Sequence, residues 1–263
     1  MTLDILICTI DDGIKKVPDV LIPQKSGVSY VVSMQYTDEK FKQMIPAELL
    51  QREDVTIHSI EGRGLSLNRN NALAHSSADI RLIADDDNRY TEAYIDAIFS
   101  SYNAHKEADI ICFKAIGYDG KEMKKYPAEA MSYADACNEG YYPTSMEISF
   151  KKSVCTNFDI RFGLGSEKLC SGEEDVFLFD AIKDGYKAIF IPEVVVSSNP
   201  LTTGDKFLQD RKVQISKGAT FKHIFGTANA LWRTVKEAGW HLVHNNANPF
   251  PIMYNMCKGI FLF

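Results

Sequence analysis

The sequence lacks most of the short patterns that assign a functional class at sight. Its six cysteines (Cys8, Cys112, Cys137, Cys155, Cys170, Cys257) contain no C-x-x-C pair. That scatter excludes zinc spacing and argues against a disulfide framework, so reduced thiols in a cytoplasmic protein are expected. There is no G-x-S-x-G, no P-loop and no G-x-G-x-x-G, and Phe162-Gly163-Leu164-Gly165 lacks the third glycine of a dinucleotide fingerprint. The six histidines form no close pair at metal spacing beyond His241 and His244. No run reaches the ~20 apolar residues that span a bilayer. The opening MTLDILICTIDDG has Asp4 where a signal peptide carries basic residues, and reads as a first buried strand.

What is present is a globular composition. The 263 residues are 45% apolar, 24% charged and 11% aromatic, enough for one large domain, or a domain with an extension, and against dominant disorder. The formal charge of −6 argues against nucleic-acid binding as the main task. That charge is unevenly spread. From Asp205 onward eight Lys/Arg face three Asp/Glu, a local +5, which leaves −11 across residues 1–204.

Apolar runs at Leu3–Ile10, Val28–Met34, Val55–Ile60, Ile80–Ala84, Ala108–Ile116, Met146–Phe150 and Ala188–Ser197 read as strands. Between them lie helical patterns. One runs from a Ser66 cap to about Ala78, one from a Thr91 cap to about His105, and one from about Glu173 to Asp184, with Gly185 after it. Strands alternating with helices predict an α/β layer fold with a largely parallel sheet, whose ligands sit beyond the carboxyl ends of the strands. Asp11-Asp12 and Asp85–Asp87 both follow strands in that way. The segment Leu201–Gly204 is the best boundary, giving a body at 1–204 and an extension at 205–263, where Phe207–Gly218 and Phe221–Ala238 read as helices.

Three clusters carry chemistry. Asp85-Asp86-Asp87 ends an apolar strand, and three adjacent carboxylates with oxygen donors only suit Mg²⁺ or Mn²⁺. The plainer alternative is a solvated acidic turn in which Asp87 and Asn88 serve the Thr91 helix. Glu173-Glu174-Asp175 opens a helix behind Gly172, as charge placed at the dipole or as a carboxylate aimed at a site. Arg63 and Arg69, in GRGLSLNRNN, suit a pyrophosphate at a helix start, or Asn68, Arg69 and Asn70 merely tie that helix to the sheet.

In order along the chain, ICTIDDG, GRGLSLNRNNALAHSSADIRLIADDDNRY and FDIRFGLGSEKLCSGEEDVFLFDAIKDGYKAIFIPEVVV resemble the family 2 glycosyltransferases over about residues 1–200. The resemblance implies a GT-A fold: a Rossmann-like, mostly parallel mixed sheet flanked by helices, here with a C-terminal helical extension. It implies inverting transfer of a sugar from a nucleotide-diphosphate donor to an acceptor hydroxyl, in polysaccharide or glycolipid biosynthesis. Asp87 would ligate Mn²⁺ or Mg²⁺, with Asp85 or Asp86 holding the donor's ribose or a metal-bound water. Asp175 would be the general base, oriented by Glu174. Thr9, Ile10 and Asp12 would line the nucleotide pocket, faced by Arg63 or Arg69.

Two departures stand out. Ser197-Ser198-Asn199 replaces a His that the family often has after the last strand, and Ser33–Asp38 replaces its commoner acidic base-reading segment. A catalytically silent nucleotide-sugar binder is one alternative reading. A sugar-nucleotide pyrophosphorylase is another, against which Asp11-Asp12-Gly13-Ile14 stands where that class needs a basic glycine-rich loop. Tyr126, Tyr133, Tyr141 and Tyr142 either stack on sugars or pack. The basic, aromatic tail is expected to pack on the body, form a homodimer, or dock peripherally on the inner face of the membrane, where a glycan or lipid-linked acceptor would reside.

Overall fold

The computed structural model describes residues 1–200 and 204–263, so most of the boundary expected at Leu201–Gly204 lies outside the described residues. The chain forms two compact units. The first comprises Met1–Arg63, Leu67–Asn157 and Asp180–Pro200, and the second Gly64–Ser66, Phe158–Phe179 and Leu201–Phe263.

The first unit is built on one eight-stranded sheet. Its strands are β1 (Leu3–Ile10), β2 (Val28–Tyr36), β3 (Val55–Glu61), β4 (Ile80–Asp85), β5 (Ile110–Gly117), β6 (Met131–Ser132), β7 (Ile148–Lys151) and β8 (Ala188–Ser198). They lie in the order β3-β2-β1-β4-β7-β5-β8-β6. The β3-β2-β1-β4 pairs and β5-β8 are parallel, while β7 and β6 run antiparallel to their neighbours. The sheet is therefore mostly parallel and mixed, as expected. β1 pairs with β2 on one side and β4 on the other, so the strand order reverses there and opens a crevice at the carboxyl ends.

The main core joins alternate residues of β1 and β2 (Leu3, Ile5, Ile7; Tyr30, Val32, Met34) to Ile14, Val17 and Val20. Those last three recur every third residue, the repeat of the 3₁₀ helix that spans Asp11–Val20. A short turn of helix, α1 (Ala47–Leu50), precedes β3. Helix α2 (Leu65–His75) covers the other face of β1 and β2: Asn71 Nδ2 donates to Ser33 Oγ at 2.7 Å, and Asn68 Nδ2 to the Thr9 carbonyl at 2.9 Å. Asp4, buried in β1, accepts from Ser76 Oγ, Ser77 N and Ala78 N, which fixes the turn from α2 into β4. Helix α3 (Glu92–Ala104) starts as expected, with Thr91 Oγ1 accepting from Tyr94 N.

The stretch between β5 and β7 is more ordered than its sequence suggests. It contains β6 and α4 (Tyr133–Asn138), and it hangs on the fully buried Glu147. That carboxylate accepts from Lys124 Nζ at 2.7 Å, Tyr126 OH at 2.5 Å and Thr144 N at 2.6 Å. Tyr126, Tyr133 and Tyr141 are buried, and Tyr126 and Tyr141 pack with Phe190, so these three are packing tyrosines. Tyr142 is exposed.

The second unit is mainly helical: the start of α5 (Glu173–Lys183), then α6 (Arg211–Asn245) and α7 (Pro249–Leu262). Two expectations are corrected here. Ser66 is not a cap; it sits inside α2, which begins at Leu65, and donates to the Phe162 carbonyl at 2.7 Å. The tail does not break near Gly218, which lies within α6; α6 breaks at Gly226, whose φ of 72° leaves the helical region. The break folds α6 back on itself, since Val213 and Ala238 share one apolar cluster with Ile252 and Met256 of α7. Gly218 and Gly259 are the points of closest approach. A Cβ on Gly218 would strike the Met256 carbonyl, and one on Gly259 the Ile215 carbonyl.

Candidate active site

The register of the sheet assembles the acidic site. Because Cys8 pairs with Asp85, the end of β1 and the end of β4 emerge side by side at the switch point. Residues 77 positions apart then meet: Thr9 Oγ1 donates to Asp86 Oδ2 at 2.6 Å. Gly13 is what permits this closeness, since a Cβ there would collide with both the Asp86 carboxylate and the Thr9 hydroxyl. Lys16 Nζ lies 3.7 Å from the other oxygen of Asp86.

The three aspartates have different neighbours. Asp85 accepts from Ser145 Oγ at 3.3 Å and faces the Arg69 guanidinium at 3.7 Å. Asp87 has Ser198 Oγ at 3.5 Å and Asn88 Nδ2 at 3.4 Å, and its carbonyl accepts from the Tyr118 hydroxyl. The turn is held from beneath by Asn88, fully buried, whose Oδ1 accepts from Asp85 N at 2.9 Å while its Nδ2 donates to Ser198 Oγ at 3.0 Å.

Electrostatics follow from this packing. Burial raises the Asp86 carboxyl above the ordinary carboxylate range, although the Thr9 hydroxyl pulls it back. Burial also raises Asp87, with the charges of Asp85 and Asp86 adding to it. The neighbouring Cys8 thiol is pushed up to about 12 by burial, against the pull of Arg69.

Asp11 has φ 53°, a left-handed conformation uncommon for a residue with a side chain. Its carboxylate accepts from Thr37 N at 2.7 Å and from Thr37 Oγ1, and lies 3.7 Å from Arg63. Of the nucleotide-side candidates, Thr9 is buried, while Ile10, the last residue of β1, and Asp12 and Arg63 beside Asp11 are exposed. Arg69 is only 1% exposed and turns toward Asp85, so among the first unit's arginines Arg63 is the one open to solvent beside this turn.

Asp175 and Glu174 belong to the second unit, in the first turn of α5, where acidic groups complement the helix dipole. Both are half-buried, whereas Glu173 is buried and lies against Gly163. Gly172, at φ 93°, leads into the helix, and a Cβ on it would strike the Thr220 hydroxyl.

Sequence reasoning gave no site role to Ser145, Lys16 or Tyr118, and read Asn88 only as a turn residue and Ser198 only as a departure from a family histidine. The one local signal was Asp87-Asn88, a turn dipeptide; the others reach the site only through the tertiary fold. Ser198 is notable because it stands in the segment where a His was the family expectation.

Among the described residues no three His, Cys, Asp or Glu side chains converge as a complete metal-ligand set. A hard divalent cation held by one or two carboxylates, with phosphate oxygens and water completing its shell, still fits this donor set. Two half-buried carboxyls raised mainly by desolvation, with neighbouring carboxylate charge adding to it, are what such a cation would relieve. A small cavity of about 110 Å³ lies elsewhere in the sheet unit, beside Arg81 near the start of β4 and Cys155.

No family model matches the chain, and no curated protein matches it. Solved structures do. TarS 1-349 from S. aureus is similar with a TM-score of 0.60 at 14% identity, over 93% of this chain and 72% of that one. The fold is GT-A-like. TarS 1-349 in complex with UDP-GlcNAc matches with a TM-score of 0.59 at 13% identity, over 93% of this chain and 73% of that one. A further TarS structure matches with a TM-score of 0.59 at 13% identity over 93% of this chain, which spans only 44% of that longer chain. Identity at this level establishes shared fold and nothing finer.

Proposed function

We propose that this chain is an inverting glycosyltransferase that moves a sugar from a nucleotide-diphosphate donor to an acceptor hydroxyl, in polysaccharide or glycolipid biosynthesis. The observation that carries the reading is the strand register that sets Asp85–Asp87 beside the end of β1, at the switch point of a GT-A-like sheet. The complexes of TarS with UDP and UDP-GlcNAc support a nucleotide-sugar donor.

In this reading Thr9, Ile10 and Asp12 line the nucleotide side, with Arg63 open to the phosphates. Arg69 acts through Asp85, which it faces. Asp86, already held by Thr9 and Lys16, orients the donor, while Asp87 and Asp85 hold Mn²⁺ or Mg²⁺. The bound cation would offset the negative charge that develops on the leaving diphosphate. Asp175, oriented by Glu174, takes the acceptor's proton. The acceptor oxygen bonds to the anomeric carbon as the bond from that carbon to the diphosphate breaks. Entry and departure on opposite faces of the sugar invert its configuration.

The test is a thermal-shift screen of nucleotide sugars with Mn²⁺ present, since a ligand selective for the folded state raises its melting temperature. A cognate donor should stabilise the protein, and Asp87→Ala should abolish the metal-dependent part. Asp175→Asn should cut transfer by about 10²- to 10⁴-fold, the usual worth of a general base, while donor binding persists. A panel in which no donor binds defeats the reading. Unchanged behaviour of Asp175→Asn, with donor binding intact, favours a silent binder instead.

A further inference from the structure

Surface helices of globular proteins face apolar residues inward and polar residues outward. The end of the chain departs from that rule. Among the described residues, nine of the eighteen exposed large apolar side chains fall between Trp232 and Leu262. Along 227–245 the inward side is Ala230, Thr234, Ala238 and His241, spaced by four, four and three residues. The outward side carries Trp232, Val235, Trp240, Leu242 and Val243. Helix α7 repeats the pattern: Ile252, Met256 and Ile260 face in, while Phe250, Tyr254 and Phe261 face out and are each more than 70% exposed. Exposed apolar side chains gathered in this way on two packed helices mark an interaction surface.

The charges on these faces indicate what covers them. Arg233, Lys236 and Lys258 are exposed among the aromatics. The one acidic residue in 227–263, Glu237, is half-buried, with its carboxylate 3.6 Å from His241 Nε2. A second copy of the same face would bring cations against cations with no acid to meet them, because an isologous contact repeats one patch on both sides. Both tryptophans of the chain lie on this surface, at 61% and 52% exposure. Tryptophan and tyrosine beside Lys and Arg on an outward apolar face form the pattern of a helix lying in a lipid headgroup region. No described helix is long and apolar enough to cross a membrane. We propose that the outward faces of 227–245 and α7 dock on an anionic lipid surface, the aromatics entering the headgroup layer and the cations pairing with lipid phosphates. This stands independently of the activity proposed above.

The experiment uses the full chain with phosphatidylcholine vesicles, with and without phosphatidylglycerol. Both fluorophores sit on the docking face, so the intrinsic tryptophan emission should shift to the blue with phosphatidylglycerol vesicles, and the protein should pellet with them. Binding should fall as salt is raised. Lys236→Gln with Lys258→Gln should weaken partition about 25-fold, at about 1 kcal/mol per charge. Trp232→Glu with Trp240→Glu should abolish pelleting while circular dichroism stays unchanged. Should that pair perturb folding, the lysine pair, which leaves every apolar contact in place, still decides. Failure to pellet with anionic vesicles overturns the proposal, as does pelleting that ignores the lysine pair. So does a lipid-free dimer in light scattering that Trp232→Glu with Trp240→Glu dissociates, because the face would then belong to a second copy.

Discussion

The two units hold together by different physics. In the sheet unit, buried polar side chains tie strand ends to one another: Glu147 gathers Lys124, Tyr126 and Thr144, Asn88 links the acidic turn to Ser198, and Asp4 fastens α2 to β4. In the helical unit, glycines bring backbones into contact, at Gly218 against Met256 and Gly259 against Ile215. A polar tie specifies direction and can aim a carboxylate. A glycine contact specifies only distance, and leaves the outward faces free to meet another solvent.

Substitutions can break or sharpen the contrast. The largest effect should come from Glu147→Ala, which leaves the Lys124 ammonium without its buried partner and should cost about 3–5 kcal/mol in urea denaturation. In the helical unit a volume change should do comparable harm where a charge change would not. Gly259→Val should cost about 1–3 kcal/mol or more through overpacking, read by the same denaturation. Asn88→Ala is expected to cost about 1–3 kcal/mol through the donors and acceptors it orphans, and to weaken donor binding because the acidic turn loses its support.

The smallest effect has the opposite sign. Asp87 has a folded pKa raised above its ordinary value of 3.8, so its ionised form is disfavoured in the folded chain. At neutral pH, without metal, Asp87→Asn should therefore raise the melting temperature slightly while weakening metal-dependent donor binding. That gain should shrink as pH falls through the raised pKa and vanish below about 3.8, where the wild-type carboxyl is protonated in both folded and unfolded states. A melting temperature unmoved at neutral pH would show that the carboxylate is already compensated.

Much of the sheet is legible in the chain. Leu3–Ile10, Ile80–Asp85 and Ala188–Ser198 match their apolar runs to within a residue, because mostly buried strands are written as short, predominantly apolar runs. The Thr91 cap and Gly185, at φ 98°, are equally local signals. The tail was harder. Pro249 and Pro251 disguise α7, yet prolines in a first turn remove only N–H groups that have no helical partner, and Asn248 caps the start. Gly218 reads as a break and is a packing contact, while Gly226, unremarkable in sequence, is the break. The decisive difference is a neighbour some forty residues away.

The candidate site divides along the same line. Adjacent acids after a strand declare themselves in sequence, as Asp85–Asp87 and Glu173–Asp175 do, because like charges are seldom placed side by side without a counter-charge or a helix dipole. Which carboxylate touches Thr9, which rests on Ser198, and that Arg69 turns inward to Asp85 rather than outward were decided only when the strands took their register. Sequence alone determined the main strands and helices of the sheet unit, the acidic clusters and the charge asymmetry, since each is a property of neighbours along the chain. Tertiary structure decided the partners, because hydrogen bonds and desolvation depend on distance in space, and the outward apolar faces of the last helices appear only once their inward faces are packed.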